Sequence, residues 1–344
     1  MARANAVAES IPAPAGPVIE PGQRVIVRVP ATTANLGPGF DSLGMAVTLY
    51  DSLTVETFDG NAEDGGGQEL RFELRGEGAE ALPRDGSHLV VRAMEAAFSR
   101  LGYRRSGLKI TADNVLPHGR GLGSSASAIV AAVTAANELV PESARQDTQW
   151  IFQLTSELEG HPDNVAPAIF GAVAISWREG RRYRSARVLP SPRVIPIAAV
   201  PAVELSTETA RAMLPTAVPH ADAAANAGRT ALLIHALRDD PALLLAATED
   251  YLHQSFRSSA MAGSAALMAG LRARGFAAFI SGAGPTVMTL ADGESEAQQA
   301  VDFITAFGAL PESQSRPGVE TYAQWRVLRL NIDSDGAKVE LHRW

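Results

Sequence analysis

"VLPHGRGLGSSASAIVAAVTAAN", residues 115–137, leaves almost no side chain where an extended piece meets a helical one. Leu108 and Ile110 come before it at strand spacing, and Val115 opens it. Ala126, Ile129, Val130, Val133 and Ala136 follow on one face of a 3.6-residue helix. The glycines therefore occupy a strand-to-helix turn, where backbone can approach a ligand closely. The first N–H groups of a helix lack partners within it, and the helix dipole adds positive potential at the same end. Phosphate is the anion such a place most often holds. Ser124 and Ser125 fall in the first turn, where a hydroxyl can meet a phosphate oxygen or a metal. The usual G-x-x-x-x-G-K-[ST] loop is absent, because "GRGLGSSAS" contains no lysine. Taken alone, these residues equally describe a glycine turn followed by a capped helix.

The rest of the chain narrows the choice. Its 344 residues are 46% hydrophobic and 20% charged, a globular composition long enough for two cores. There is no cysteine, which removes disulfides, thiolate nucleophiles and thiolate metal sites. A net charge of -8 argues against a broad nucleic-acid surface. Residues 1–22, rich in Ala and Pro and interrupted by Glu9, read as a mobile tail and a poor signal peptide. No apolar run reaches the ~18 residues of a membrane span, so cytoplasmic residence is expected.

Along the chain, "RVIVRVPAT" alternates Val25, Val27 and Val29 as a strand, and "AVTLYDSLTVETF" continues as another. "DGNAEDGGG", residues 59–67, is a flexible loop, and "ELRFELRGEG" returns as the hairpin partner. "HLVVRAMEAAFSRLG" is a helix closed by Gly102. "DTQWIFQLTSELEGHPDNVAPAIFGAVAIS" starts helical, breaks at Gly160 to Pro162 and ends in a strand, with "WREGRRYRSAR" as an exposed basic hairpin. Near Pro190 to Pro192 a second unit begins. It holds a strand at Val194 to Val200, a loop "MLPTAVPHADAAAN", two or three Ala/Leu helices, the strand pair "AAFISGAGPTVMTL", a further helix and two closing strands. This is mixed α/β with hairpins, an α+β arrangement, and not the regular alternation of a doubly wound sheet or a (β/α)8 barrel.

The pattern P-x-x-x-G-L-G-S-S-A, Pro117 to Ala126, resembles the nucleotide loop of GHMP kinases, the superfamily of galactose, homoserine, mevalonate and phosphomevalonate kinases. "VPATTANLGPGFDSLGMA", "EGHPDNVAPAIFGA" and "FISGAGPTVMTL" resemble its other motifs in their homoserine kinase form. With "TETARAMLP" and "YLHQSFR" the likeness covers about residues 24 to 300. It implies an N-terminal ribosomal-protein-S5-like nucleotide domain with a left-handed β-α-β unit, residues 23–190. A C-terminal ferredoxin-like α/β sandwich, residues 191–344, would follow.

The resemblance also implies a chemistry: phosphoryl transfer from ATP, with Mg²⁺, to the hydroxyl of homoserine on the way to threonine. ATP would lie on Pro117, His118, Gly119, Arg120, Gly121, Leu122, Gly123, Ser124, Ser125, Ala126 and Ser127. Ser125 and Glu159 would hold the metal, with Glu157 as second choice for the carboxylate. Asn164 would orient the attacking alcohol, and Asp163 is its rival, although Asp163 also suits a cap for the helix near Val165. Arg211 and Arg257 would take the amino acid's carboxylate and Asp41 its ammonium, with Asn35, His161 and the Gly282 backbone completing the pocket. His88 stands where related sequences carry Asn, beside the family's adenine pocket. A homodimer is left open. Two other readings stay on the table: a kinase for another small alcohol such as mevalonate, and a non-catalytic nucleotide-binding regulator on the same scaffold.

Overall fold

The computed structural model describes residues 16–60, 69–308 and 325–344. The loop expected at 59–67 and the start of the expected tail fall largely outside them. Residues Pro17 to Gly22 are pinned: Ile19 is buried, and Gly22 N–H donates to the Thr57 carbonyl at 2.9 Å.

The first unit is a seven-stranded sheet. β1 (Gln23–Ala34) and β2 (Leu43–Phe58) form a long antiparallel pair, with the register slipping between Pro30 and Ala31. β3 (Leu70–Gly76) follows, then α1 (Leu89–Leu101), β4 (Gly107–Asn114), α2 (Ser124–Leu139), α3 (Thr148–Glu159) and the short α4 (Val165–Phe170). β5 (Val173–Glu179) and β6 (Arg182–Val188) form the expected basic hairpin.

One expectation is overturned here. β3 does not pair with β2; β4 inserts between them, antiparallel to β2 and parallel to β3. A parallel neighbour needs a crossover, and α1 supplies it. Val25, Val27 and Val29 share one core with Met94 and Phe98 of α1 and with Ile129, Val130 and Val133 of α2, the helix that packs against β1.

The second unit starts with β7 (Val194–Val200). After it come α5 (Thr207–Ala212), α6 (His220–Arg238), α7 (Leu244–Ala247), α8 (Gln254–Arg257) and α9 (Ala262–Arg272). β8 (Ala277–Ile280), β9 (Val287–Asp292), α10 (Glu294–Gly308), β10 (Arg326–Arg329) and β11 (Lys338–Arg343) close the chain. Its own sheet runs β10-β7-β9-β8, antiparallel throughout. That is the split β-α-β order of a ferredoxin-like sandwich.

β7 reads "VIPIAAV" because both its faces are covered. Val194, Ala198 and Val200 face the first unit, and Ile195, Ile197 and Ala199 face the side of α9 and α10. The last strand departs from the expected division: β11 crosses back and pairs with β1 at the edge of the first sheet. Among the described residues no helix is long and apolar enough to cross a membrane.

Candidate active site

Between the two units lies a recess of about 170 Å³. The start of α2 forms one wall. Gly123 is its N-cap with φ 72°, and no side chain caps the helix, so the first-turn N–H groups face the recess unclaimed. Gly119, Gly121, Gly123, Ser124 and Ser125 line this wall.

Two glycines are required by close approach. A Cβ on Gly121 would lie 2.2 Å from the Ser281 carbonyl oxygen, and one on Gly123 would lie 2.0 Å from Thr32 Oγ1. The second unit turns the loop carbonyls outward. Leu205 N–H donates to Gly119 at 2.9 Å, Thr286 N–H to Arg120 at 3.2 Å, and the Ser281 hydroxyl to Gly121 at 2.6 Å. With the carbonyls held on that side, the cleft offers mainly amide hydrogens to an anion.

The remaining residues of the expected ATP loop lie elsewhere. Leu122 is fully buried in the core between the units, and Ala126 and Ser127 are buried. Pro117 and Arg120 line a second hollow behind the loop, and the His118 ring lies close against Gly78. The alternation that turns Gly121 and Gly123 inward turns their neighbours outward, and an apolar or long side chain goes to core or solvent.

Glu159, at the end of α3, reaches across to accept from the Ser125 hydroxyl at 2.8 Å. Burial pushes its carboxyl upward, and protonated His161 and Ser125 pull the other way. Glu157 is not at the recess; it pairs with Arg100 at 3.1 Å on the outside. The Ser125–Glu159 pair suits a small hard cation that keeps most of its ligands as water and phosphate. Among the described residues no group of three or more His, Cys, Asp or Glu could hold a metal by itself.

The break at Gly160 to Pro162 brings His161, Asp163 and Asn164 to the floor. His161 Nδ1 sits 2.5 Å from Asp163 Oδ1. Burial alone would lower the imidazole, but the carboxylates of Asp163 and Glu159 outweigh it and raise its pKa to about 9. Asp163 is buried, and its carboxylate also accepts from Asn164 N–H at 3.0 Å. It therefore holds the corner and is not a free base, and α4 has no side-chain cap. Asn164 Oδ1 accepts from the Thr32 hydroxyl at 2.8 Å, which leaves the amide Nδ2 to donate.

The opposite wall comes from the second unit. Arg211 on α5 makes a two-pronged pair with Asp41, at 2.7 and 3.0 Å. Its guanidinium is held firmly charged: the Asp41 carboxylate more than offsets burial. The groups expected at opposite ends of an amino acid thus meet each other. Arg257 is 2% exposed and donates to the carbonyls of Ala210 and Gly282, both at 3.2 Å.

Arg257 Nη1 also meets His253 Nδ1 at 3.2 Å, while His253 Nε2 meets the Gly37 carbonyl at 2.8 Å. Arginine only donates and a carbonyl only accepts, so His253 is neutral with its proton on Nε2. Burial lowers its pKa accordingly. Phe40 stacks on His253 with centroids 5.1 Å apart and lies below both arginines.

Asn35 spends its side chain on the backbone, donating to Gly282 at 2.9 Å and accepting from Asp41 N–H at 3.0 Å. The Gly282 backbone is likewise taken: its carbonyl accepts from Asn35 and Arg257, and its N–H donates to Ala34 at 3.1 Å. It shapes the recess and has no free group to offer. Thr32, Phe40, His253 and Ser281 were not singled out by sequence reasoning. All four lie inside or beside the quoted motifs, and only their contacts mark them. His88 caps α1 by accepting from Val90 N–H at 3.2 Å, its ring buried against Phe72.

Residues 88–172 match the family described as GHMP kinases N terminal domain, and residues 233–310 match GHMP kinases C terminal. The scaffold is thus that of the GHMP kinases. A homoserine kinase of Streptomyces coelicolor is 46% identical over 94% of this chain and 97% of its own length. One from Clavibacter michiganensis is 43% identical over 93% and 95%. Among solved structures, homoserine kinase from Cytophaga hutchinsonii superposes with a TM-score of 0.77 at 24% identity, covering 92% of this chain and 97% of that one. A putative homoserine kinase from Listeria monocytogenes gives 0.69 at 28% identity, covering 92% and 99%. The chain belongs to the homoserine kinase family.

Proposed function

We propose that this enzyme transfers the γ-phosphoryl group of ATP to the side-chain hydroxyl of L-homoserine, giving ADP and O-phospho-L-homoserine. The observation that carries the reading is the facing of two complementary walls across one recess. Unpaired amides at the start of α2 suit a phosphate chain, and Arg211, Arg257 and Asp41 suit a zwitterion.

Mg²⁺ would be held by Ser125 and Glu159 and would supply positive charge to the phosphates. The amides of Gly121 to Ser125 bind and orient the triphosphate. The amino acid's carboxylate goes to Arg211 and Arg257 and its ammonium to Asp41. Its two charges extend the Asp41–Arg211 pair into an alternating row.

Asn164 Nδ2 donates to the hydroxyl oxygen and aims a lone pair at phosphorus. No side chain on the floor is a free strong base. A loose transition state does not demand one, because the alcohol's proton leaves late, to a phosphate oxygen. His161, held cationic by Asp163, adds positive charge at the floor.

The test is an ADP-release assay with purified protein, ATP, Mg²⁺ and either L-homoserine or mevalonate. Homoserine-dependent release is expected. Release with mevalonate alone would assign a different alcohol, and ATP binding without release would make the chain a regulator.

A further inference from the structure

Arg120 lies in the middle of the phosphate loop, yet its guanidinium turns its back on the recess. Nε donates to the Pro201 carbonyl at 3.0 Å and Nη2 to Ala202 at 2.6 Å. Nη1 donates to its own loop at His118, 2.6 Å, and to the Glu204 carboxylate at 2.9 Å. The Arg120 side chain is 16% exposed, and its bonds to Pro201 and His118 are partly buried, while those to Ala202 and Glu204 lie at the surface. The segment Pro201 to Glu204 belongs to neither sheet and forms no helix; it is part of the link from β7 to α5. Leu205, Ser206 and Thr207, just beyond it, line the recess, and Arg211 follows one turn later. Leu205 N–H is itself bonded to the Gly119 carbonyl.

We propose that Arg120 is a positioning residue that ties the phosphate loop to the link carrying α5, so that nucleotide binding and amino-acid binding strengthen one another. A phosphate chain drawing in the amides of Gly121 to Ser125 fixes the loop. The planar fork of Arg120 then fixes Pro201 and Ala202, and with them the placement of Arg211. Lysine, with one ammonium, cannot span the same three carbonyls. The inference rests on the kinase reading above, but it concerns coupling and not chemistry.

The experiment is calorimetric titration of the full chain with L-homoserine, with and without a nonhydrolysable ATP analogue and Mg²⁺, for the parent protein and Arg120→Met. Coupling is reciprocal, so the parent should show about a fivefold or greater mutual tightening, within the usual allosteric range. In Arg120→Met the factor should fall to about 1, with each ligand alone bound within roughly threefold of the parent. A coupling factor unchanged in Arg120→Met overturns the proposal. So does loss of affinity for the ATP analogue alone, which would make Arg120 a direct phosphate ligand. A parent that binds both ligands without coupling also overturns it and leaves the kinase reading intact; a parent that binds no homoserine defeats that reading first. If Arg120→Met does not fold, Arg120→Lys serves, with a factor between the parent's and 1 expected and the parent's full factor refuting.

Discussion

The two arginines opposite the helix start look alike in sequence, yet the structure assigns them different energetics. Arg211 is 39% exposed in a pair with Asp41 that is 38% exposed. Such pairs contribute about 0–1 kcal/mol to stability, so Arg211→Ala should melt close to the parent. Its loss from a carboxylate site removes charge-assisted bonds worth about 1.5–3 kcal/mol, or roughly 10- to 150-fold in homoserine affinity.

Arg257 is 2% exposed and serves two carbonyls and the lone pair of His253. Truncation to Ala strands these acceptors and opens a void, about 3–5 kcal/mol in all. At about 2–4 °C per kcal/mol, that is a fall in Tm of roughly 6–20 °C. Thermal melts would be paired with steady-state kinetics, varying homoserine at saturating ATP and then the reverse. Arg211→Ala should raise the KM for homoserine, keep the KM for ATP and keep Tm. Arg257→Ala should lose Tm as well as homoserine binding. An Arg211→Ala enzyme with unchanged homoserine KM, or an Arg257→Ala protein as stable as the parent, would refute the reasoning.

Other changes test the remaining parts of the site. Gly123→Ala forces a left-handed conformation costing about 1–2 kcal/mol and drives a methyl into Thr32, so turnover should drop at least about tenfold in a protein that circular dichroism still shows folded. Asn164→Ala should lower kcat more than it raises the homoserine KM; an unchanged kcat would remove it from the mechanism. Glu159→Gln should raise the Mg²⁺ concentration needed for half-maximal rate, while the homoserine Kd measured without metal stays put. Burial lowers the His88 pKa, and its Nδ1 can accept from Val90 only while the ring is neutral. The unfolded chain therefore protonates first, near pH 6.5, and stability falls as pH drops below that value. His88→Asn keeps an acceptor at the cap without titrating. The decline in Tm between about pH 6.5 and 5 should therefore be shallower than in the parent, and identical slopes would discount His88.

Much of the site was legible because it is local. A strand, three glycines and an apolar helical stripe in one run of residues can hardly avoid building a bare helix N-terminus. The same locality made β1, the β5–β6 hairpin and the break between α3 and α4 readable, since neighbours in sequence are neighbours in space. The motif resemblance supplied the identity of Arg211, Arg257, Asp41 and Asn164, which composition and spacing could not.

The amino-acid order by itself determined most strands and helices, although α6 begins at His220 inside the expected loop, and it determined which faces are apolar and where an anion would be welcome. Tertiary structure alone decided who sits beside whom: β4 between β2 and β3, β11 returning to β1, Arg211 on Asp41 across 170 positions, and Arg120 facing outward. Alternation fixes the face a side chain takes, but a strand edge offers the same N–H and C=O groups to any partner. Pairing is then settled by how the whole set of apolar faces can be buried at once.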